Sequence, residues 1–184
     1  MRNKRGSKWV VFSIILVILL VIGMFLYMSL FKPKNNSGNY VTLKNPAADL
    51  SIDQVVQQFD EEFVYYLLFQ IKAYNLHNPP LSSDTPKINI LVGEDEYSAI
   101  IEKGNIIVSK KFAAEQDIMI VTTKKEAAMM IKYPDYVKDS FAKKESSIEM
   151  SAGKATLFSK GYLNLYQEVT GKSVSGNVIK IYTE

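Results

Sequence analysis

The chain has 184 residues, with 22 basic and 19 acidic side chains, one histidine and no cysteine. That length holds one ordinary domain, and the absence of thiols excludes disulfides, thiol nucleophiles and cysteine-based zinc or iron–sulfur centres. Arg2, Lys4, Arg5 and Lys8 crowd the N-terminus; the rest of the chain sets 18 lysines against 19 carboxylates and lacks the cationic surplus a nucleic-acid binder needs.

Residues 1–8 read as a basic tail, and Trp9 to Phe31 as a single transmembrane helix. These 23 residues carry no charge. As a helix they would extend about 34 Å, enough for a hydrocarbon core of roughly 30 Å. Trp9, Tyr27 and Phe31 sit near the ends, as interfacial aromatics do. A cleaved signal peptide is the rival reading, but its apolar core is shorter and closes on small residues, whereas this run closes on Ser-Leu-Phe-Lys-Pro-Lys. Four basic residues precede the span, while Lys32, Lys34 and Lys44 follow it. The positive-inside rule therefore favours a cytoplasmic N-terminus and an extracytoplasmic C-terminal domain.

Residues 32–50 read as a linker rich in Lys, Asn, Pro and Gly. Ser51 and Gln54 form a capping-box pattern that opens a helix. Ile52, Val55, Val56, Phe59, Phe63, Tyr66, Leu67, Ile71 and Tyr74 continue it as one apolar stripe of about 22 residues. Pro79-Pro80 and Pro86 then impose a loop. Short strands are expected at Lys87 to Val92, Tyr97 to Ile101, Asn105 to Ser109 and Asp117 to Thr122, with a hairpin turn at Glu102-Lys103-Gly104. Thr123, with Glu126 three residues on, caps a helix that Pro134 ends, and a second short helix follows through Val137 and Phe141. Ile148, Met150 and Ala152 alternate as a strand. One helix carrying Leu157, Gly161, Leu165 and Val169 ends at Thr170-Gly171, and Ser173 to Tyr182 reads as a closing strand. The predicted fold of residues 51–184 is α+β, a small antiparallel sheet of about five strands covered by helices.

Chemistry-bearing motifs are sparse. His77 stands alone in a Pro-rich loop, and Asp60-Glu61-Glu62 reads as a solvated helix face. Glu94-Asp95-Glu96 lacks the spacing of a calcium loop. No nucleophile elbow, phosphate loop or zinc-protease motif is present in the sequence. The expectation is a non-enzyme that needs no cofactor and no metal.

The segment Asp117-Ile-Met-Ile-Val-Thr-Thr-Lys-Lys-Glu-Ala-Ala-Met-Met-Ile131 resembles the strand-then-helix portion of sterol carrier protein 2-like domains, and Ile148-Glu-Met-Ser-Ala-Gly-Lys154 is similar to the strand and glycine turn that follow there. The resemblance spans about residues 51–171. It departs from the family at Lys132-Tyr133-Pro134, where a glycine is usual, and in the N-terminal anchor and the last strand. It implies an apolar cavity for a lipid or another hydrophobic small molecule. Aromatic and methionine side chains suit such a cavity and an ordinary core alike. On the resemblance, Phe59, Phe63, Leu67, Met119, Met129 and Met130 are the candidate ligand-lining residues. The functional expectation is membrane-anchored, non-catalytic binding of a hydrophobic ligand, with membrane lipid as a partner. The alternative is a membrane-tethered structural or protein-interaction module with a solid core, whose partner the sequence does not identify.

Overall fold

The computed structural model describes residues 15–23 and 43–172. The chain divides into two units, Met1–Thr42 and Leu43–Glu184. In the first, residues 15–23 are helical (α1). The rest of the predicted span at 9–31 and the predicted closing strand at 173–182 lie outside the described residues. Among the described residues, no helix is long and apolar enough to cross a membrane.

The second unit is an α+β fold built on β1 (Lys87–Val92), β2 (Asp95–Glu102), β3 (Asn105–Ser109), β4 (Ile118–Thr122) and β5 (Ser147–Met150), in the spatial order β3-β2-β1-β4-β5. Tight turns make β1–β2 and β2–β3 antiparallel, and β4–β5 is antiparallel as well. The β1–β4 pair is parallel, so the sheet is mixed and not antiparallel throughout as the sequence predicts. The turn signals report only hairpins. The chain leaves β3 on one side of β1 and re-enters on the other, a crossover that leaves no local signature. The β2–β3 turn is as expected: Lys103 and Gly104 both take positive φ, at 52° and 85°, the two-residue geometry that matches the twist of the flanking strands.

Alternation along each strand divides the sheet into two faces. Ile88, Ile90, Tyr97, Ala99, Ile118 and Ile120 share one face and are almost fully buried. They form one core with side chains of α2 (Ile52–Gln57), α3 (Glu61–Gln70), α4 (Lys124–Lys132) and α5 (Tyr136–Ala142). The other face carries Asn89, Ser98, Ile107 and Met119. The β3–β4 connection crosses this outer face, and Asn89 holds it there. The Asn89 amide accepts from the Ala113 N–H at 2.9 Å and donates to the Ala113 carbonyl at 3.2 Å. One buried side chain thus satisfies both main-chain groups of the strap, which is why a polar residue sits at the centre of the sheet.

Two long helices of the sequence reading are each broken. The expected 22-residue helix from Ser51 is α2 and α3, followed by a 3₁₀ turn at Ala73–Asn75. The Ser51 capping box forms as predicted. The break lies at Asp60, whose carboxylate accepts from the N–H groups of Glu62 and Phe63 and starts a second helix. Asp60-Glu61-Glu62 is therefore a helix start, with acidic side chains at the positive end of the dipole. The expected helix after Gly153 is likewise α6 (Lys154–Ser159) and α7 (Tyr162–Thr170), separated by Gly161 at φ 87°. The predicted caps at Thr123 and Gly171 hold. Asn45 and Ala47, within the predicted linker, pack onto the domain: the Asn45 amide donates to the Ile131 carbonyl at 3.0 Å, and Ala47 is buried.

Replacing the cap by Asp60→Ala should lower domain stability by about 1 kcal/mol in urea unfolding, while Asp60→Asn should keep most of it. Equal stabilities for Asp60→Ala and wild type would contradict this account of the break.

Candidate functional site

The six candidate lining residues do not share one surface. Phe59 lies in the break between α2 and α3, and Phe63 one turn into α3; their rings stack with centroids 5.7 Å apart. The Tyr97 ring, projecting from β2 on the core face, meets Phe59 edge-on at 6.2 Å. Leu67 follows Phe63 by one turn, and Met130 projects from α4 into the same core. Met129 is half-buried on α4. Met119 stands apart: it pairs in register with Asn89 on the outer face, so the sheet separates it from Phe59 and Phe63. The sequence placed it with the others because a strand's two faces are both apolar here, Ile on one side and Met and Val on the other.

Within this aromatic group the polar atom is the Tyr97 hydroxyl. The ring is fully buried, and its O–H donates to the Phe59 carbonyl over a long 3.4 Å. Burial pushes its pKa up to about 12, with the nearby carboxylates of Asp95, Glu61 and Asp60 adding to the rise. A phenol that keeps its proton and holds a weak hydrogen bond can exchange that partner for a better acceptor.

A second constellation escaped the sequence reading. Lys160 is 1% exposed. Its ammonium bonds both carboxylate oxygens of Asp117 at 2.9 and 3.0 Å, the Thr85 carbonyl at 3.1 Å and the Asp84 carboxylate at 2.8 Å. Asp117 in turn accepts from the Lys87 N–H at 2.8 Å and the Tyr162 hydroxyl at 2.9 Å. Every hydrogen of the ammonium therefore has an acceptor, which is what makes a buried charge tolerable. Burial, reinforced by the Asp117 charge, drives the Tyr162 pKa far above its ordinary value. The available signal was positional: Lys160 falls three residues after buried Leu157, at the C-cap of α6, on the side of the helix that Leu157 buries.

A third cluster joins Thr122, Ser140 and Ser146 by hydroxyl contacts of 2.7 and 2.8 Å, with Ser140 donating to Glu126 at 2.8 Å. All three hydroxyl residues are buried, so the cluster ties α4, α5 and β4 together without facing solvent. His77 is exposed, as expected of a loop histidine. Asp95, in the predicted acidic turn, pairs with Lys124 at 2.7 Å, a contact that holds its carboxyl below the usual range. Among the described residues no cluster of His, Cys, Asp or Glu could hold a metal ion.

No family model and no curated protein matches the sequence. Solved structures that the chain resembles include the UbiJ-SCP2 ubiquinone synthesis protein, at 8% identity and a TM-score of 0.38, over 65% of this chain and 92% of that one. Sterol carrier protein 2-like 2 of Aedes aegypti matches at 16% identity and a TM-score of 0.31, over 54% of this chain and 93% of that one. The sec-alkyl sulfatase PisA1 matches at 9% identity and a TM-score of 0.35, over 58% of this chain. The chain spans 16% of the sulfatase's length. At TM-scores of 0.31 to 0.38 these likenesses carry no argument, and the chain's own residues must carry the functional one.

The two tyrosines set an alkaline limit on stability. Both have raised pKa values when folded, so their contribution is complete below the unfolded value near 10 and is lost as pH rises above it. Each should remove about 1.4 kcal/mol per pH unit above pH ~10, with the Tyr97 part levelling off near 12. Urea midpoints across that range should fall steeply for wild type and less steeply for Tyr162→Phe; parallel curves would contradict the assignment.

Proposed function

We propose that the chain is a membrane-anchored, non-catalytic binder of a hydrophobic ligand such as a lipid, with the domain held on the extracytoplasmic side by Trp9 to Phe31. The observation that carries the reading is the weakly bonded Tyr97 hydroxyl set among Phe59 and Phe63 at a break between two helices. Alkyl burial against those rings is worth roughly 0.8 kcal/mol per CH₂. A polar head could replace the Phe59 carbonyl as the partner of the Tyr97 hydroxyl. Entry at the α2–α3 break asks for movement of one short helix, because α2 is only Ile52–Gln57. Met129 and Met130 on α4 supply adaptable side chains that can repack around a guest. Met119, on the outer face, is not part of this site. The anchoring half of the reading rests on the uncharged run in the sequence.

The competing reading, a tethered interaction module with a solid core, draws on the same burial: Phe59 and Phe63 are each 6% exposed. The two part company when the domain Leu43–Glu184 is delipidated and offered a phospholipid or a fluorescent hydrophobic probe. Ligand binding predicts stoichiometric uptake by native mass spectrometry. Tyr97→Phe should then bind an alkyl ligand bearing a polar head about 3- to 10-fold more weakly, while Ile107→Ala on the outer face should bind normally. A folded domain that takes up neither lipid nor probe contradicts ligand binding and leaves the interaction module.

A further inference from the structure

We propose that the Pro79-Pro80-Leu81 turn and the exposed face of α6 form a membrane-contact surface, with Leu81 and Phe158 as its apolar anchors. Leu81 is fully exposed and takes a left-handed backbone, φ 63°. For a leucine that conformation costs about 1–2 kcal/mol, and in water the side chain gains nothing in return. Phe158 is 74% exposed, more than Tyr133 at 50% or Ile107 at 50%.

Lys160 ties the chain on both sides of Leu81 to the residue that follows α6. The His77 N–H donates to the Lys160 carbonyl at 3.2 Å, and the Lys160 ammonium donates to the Thr85 carbonyl at 3.1 Å. Both ends of the 77–85 loop are therefore fixed to one residue, two positions after Phe158. Four extended residues reach at most about 14 Å, and the path from His77 across the hydrogen bond to Lys160 and back to Phe158 adds about 12 Å, so the backbones at Leu81 and Phe158 lie within about 27 Å of each other. A loop pinned in this way loses little conformational freedom on binding.

The surface chemistry matches a bilayer interface. From His77 to Ser83 the loop contains no Asp, Glu, Lys or Arg, and the next residue, Asp84, is engaged by Lys160. On α6, Lys154 lies one turn before Phe158, and both are exposed, which places a cation beside an aromatic ring as interfacial helices do. The choice of a bilayer over a protein rests on the anchoring part of the proposed function. Residues 32–42 extend at most about 38 Å, so an anchored domain stays within reach of lipid.

The test uses the domain Leu43–Glu184, whose core residues all fall within it, so that it can fold without the first unit. The chain's single tryptophan, Trp9, is outside it. Phe158→Trp therefore reports from this surface alone, and Tyr133→Trp is a control at an exposed aromatic elsewhere. With vesicles of mixed phosphatidylcholine and phosphatidylglycerol, Phe158→Trp emission should move to shorter wavelength and Tyr133→Trp emission should stay unchanged. Adding Leu81→Asn, which tolerates the left-handed backbone, should weaken vesicle binding at least about tenfold. No shift, or equal shifts at both positions, would overturn the proposal. So would a shift that grows with protein concentration in the absence of vesicles, which would assign the surface to a second copy of the chain. Alkaline carbonate extraction of the full chain from membranes tests the anchor separately: release of the chain together with a vesicle shift of the domain would remove the anchor and retain the surface.

Discussion

One buried ammonium joins three stretches of the chain that are distant in sequence. Lys160 meets Asp117 at the start of β4, Thr85 and Asp84 just before β1, and, through its own carbonyl, His77 after the 3₁₀ turn. Asp117 extends the connection to the main chain of Lys87 and to Tyr162. The parallel β1–β4 pairing begins at this point, with Ile88 beside Ile118. A parallel pair has no hairpin to fix its register, and an aspartate that bonds the neighbouring strand's first N–H supplies that constraint. Attraction between buried charges must offset a desolvation penalty of several kcal/mol per ion, so the arrangement favours one geometry more than it adds stability.

From that corner the sheet separates two environments. The core face is filled by Ile, Ala and Tyr side chains against the helices, and Phe59 and Phe63 reach it through a helix break that Asp60 creates. The outer face is closed at its centre by a strap on Asn89 and leaves Ile107 half exposed. Substitutions at Ile107 on the outer face can therefore be made without touching Phe59 and Phe63. The membrane-contact surface occupies a third place, the loop and short helix on either side of Lys160.

Much of the fold was legible in the sequence because its signals are local. Strand alternation, the Ser51 and Thr123 caps and the Lys103-Gly104 turn each depend on a few neighbouring residues. The misreadings share the opposite character. Apolar spacing continues through Asp60 and Gly161, so periodicity alone joined helices that a cap and a positive φ divide. The parallel pairing and the Lys160–Asp117 contact, whose partners are 43 positions apart, exist only after the chain has crossed the sheet. Of the candidate lining residues, Phe59, Phe63 and Leu67 follow one helical stripe into the core, and Met130 reaches the same core from α4. Met119 falls on the other face of the sheet, beside Asn89, because alternation fixes which residues share a face but not which face meets the helices.

The constraint on β1, β4 and the 77–85 loop depends most on Lys160 and Asp117 acting as a coupled pair, and a double-mutant cycle in urea unfolding addresses that directly. Lys160→Met and Asp117→Asn should each cost about 3–5 kcal/mol, since each leaves a buried partner uncompensated. The double variant should lose less than the two together, by about 2 kcal/mol or more. Costs that simply add would mean the two residues stabilise the domain independently, and the constraint on β1, β4 and the 77–85 loop would have to come from elsewhere.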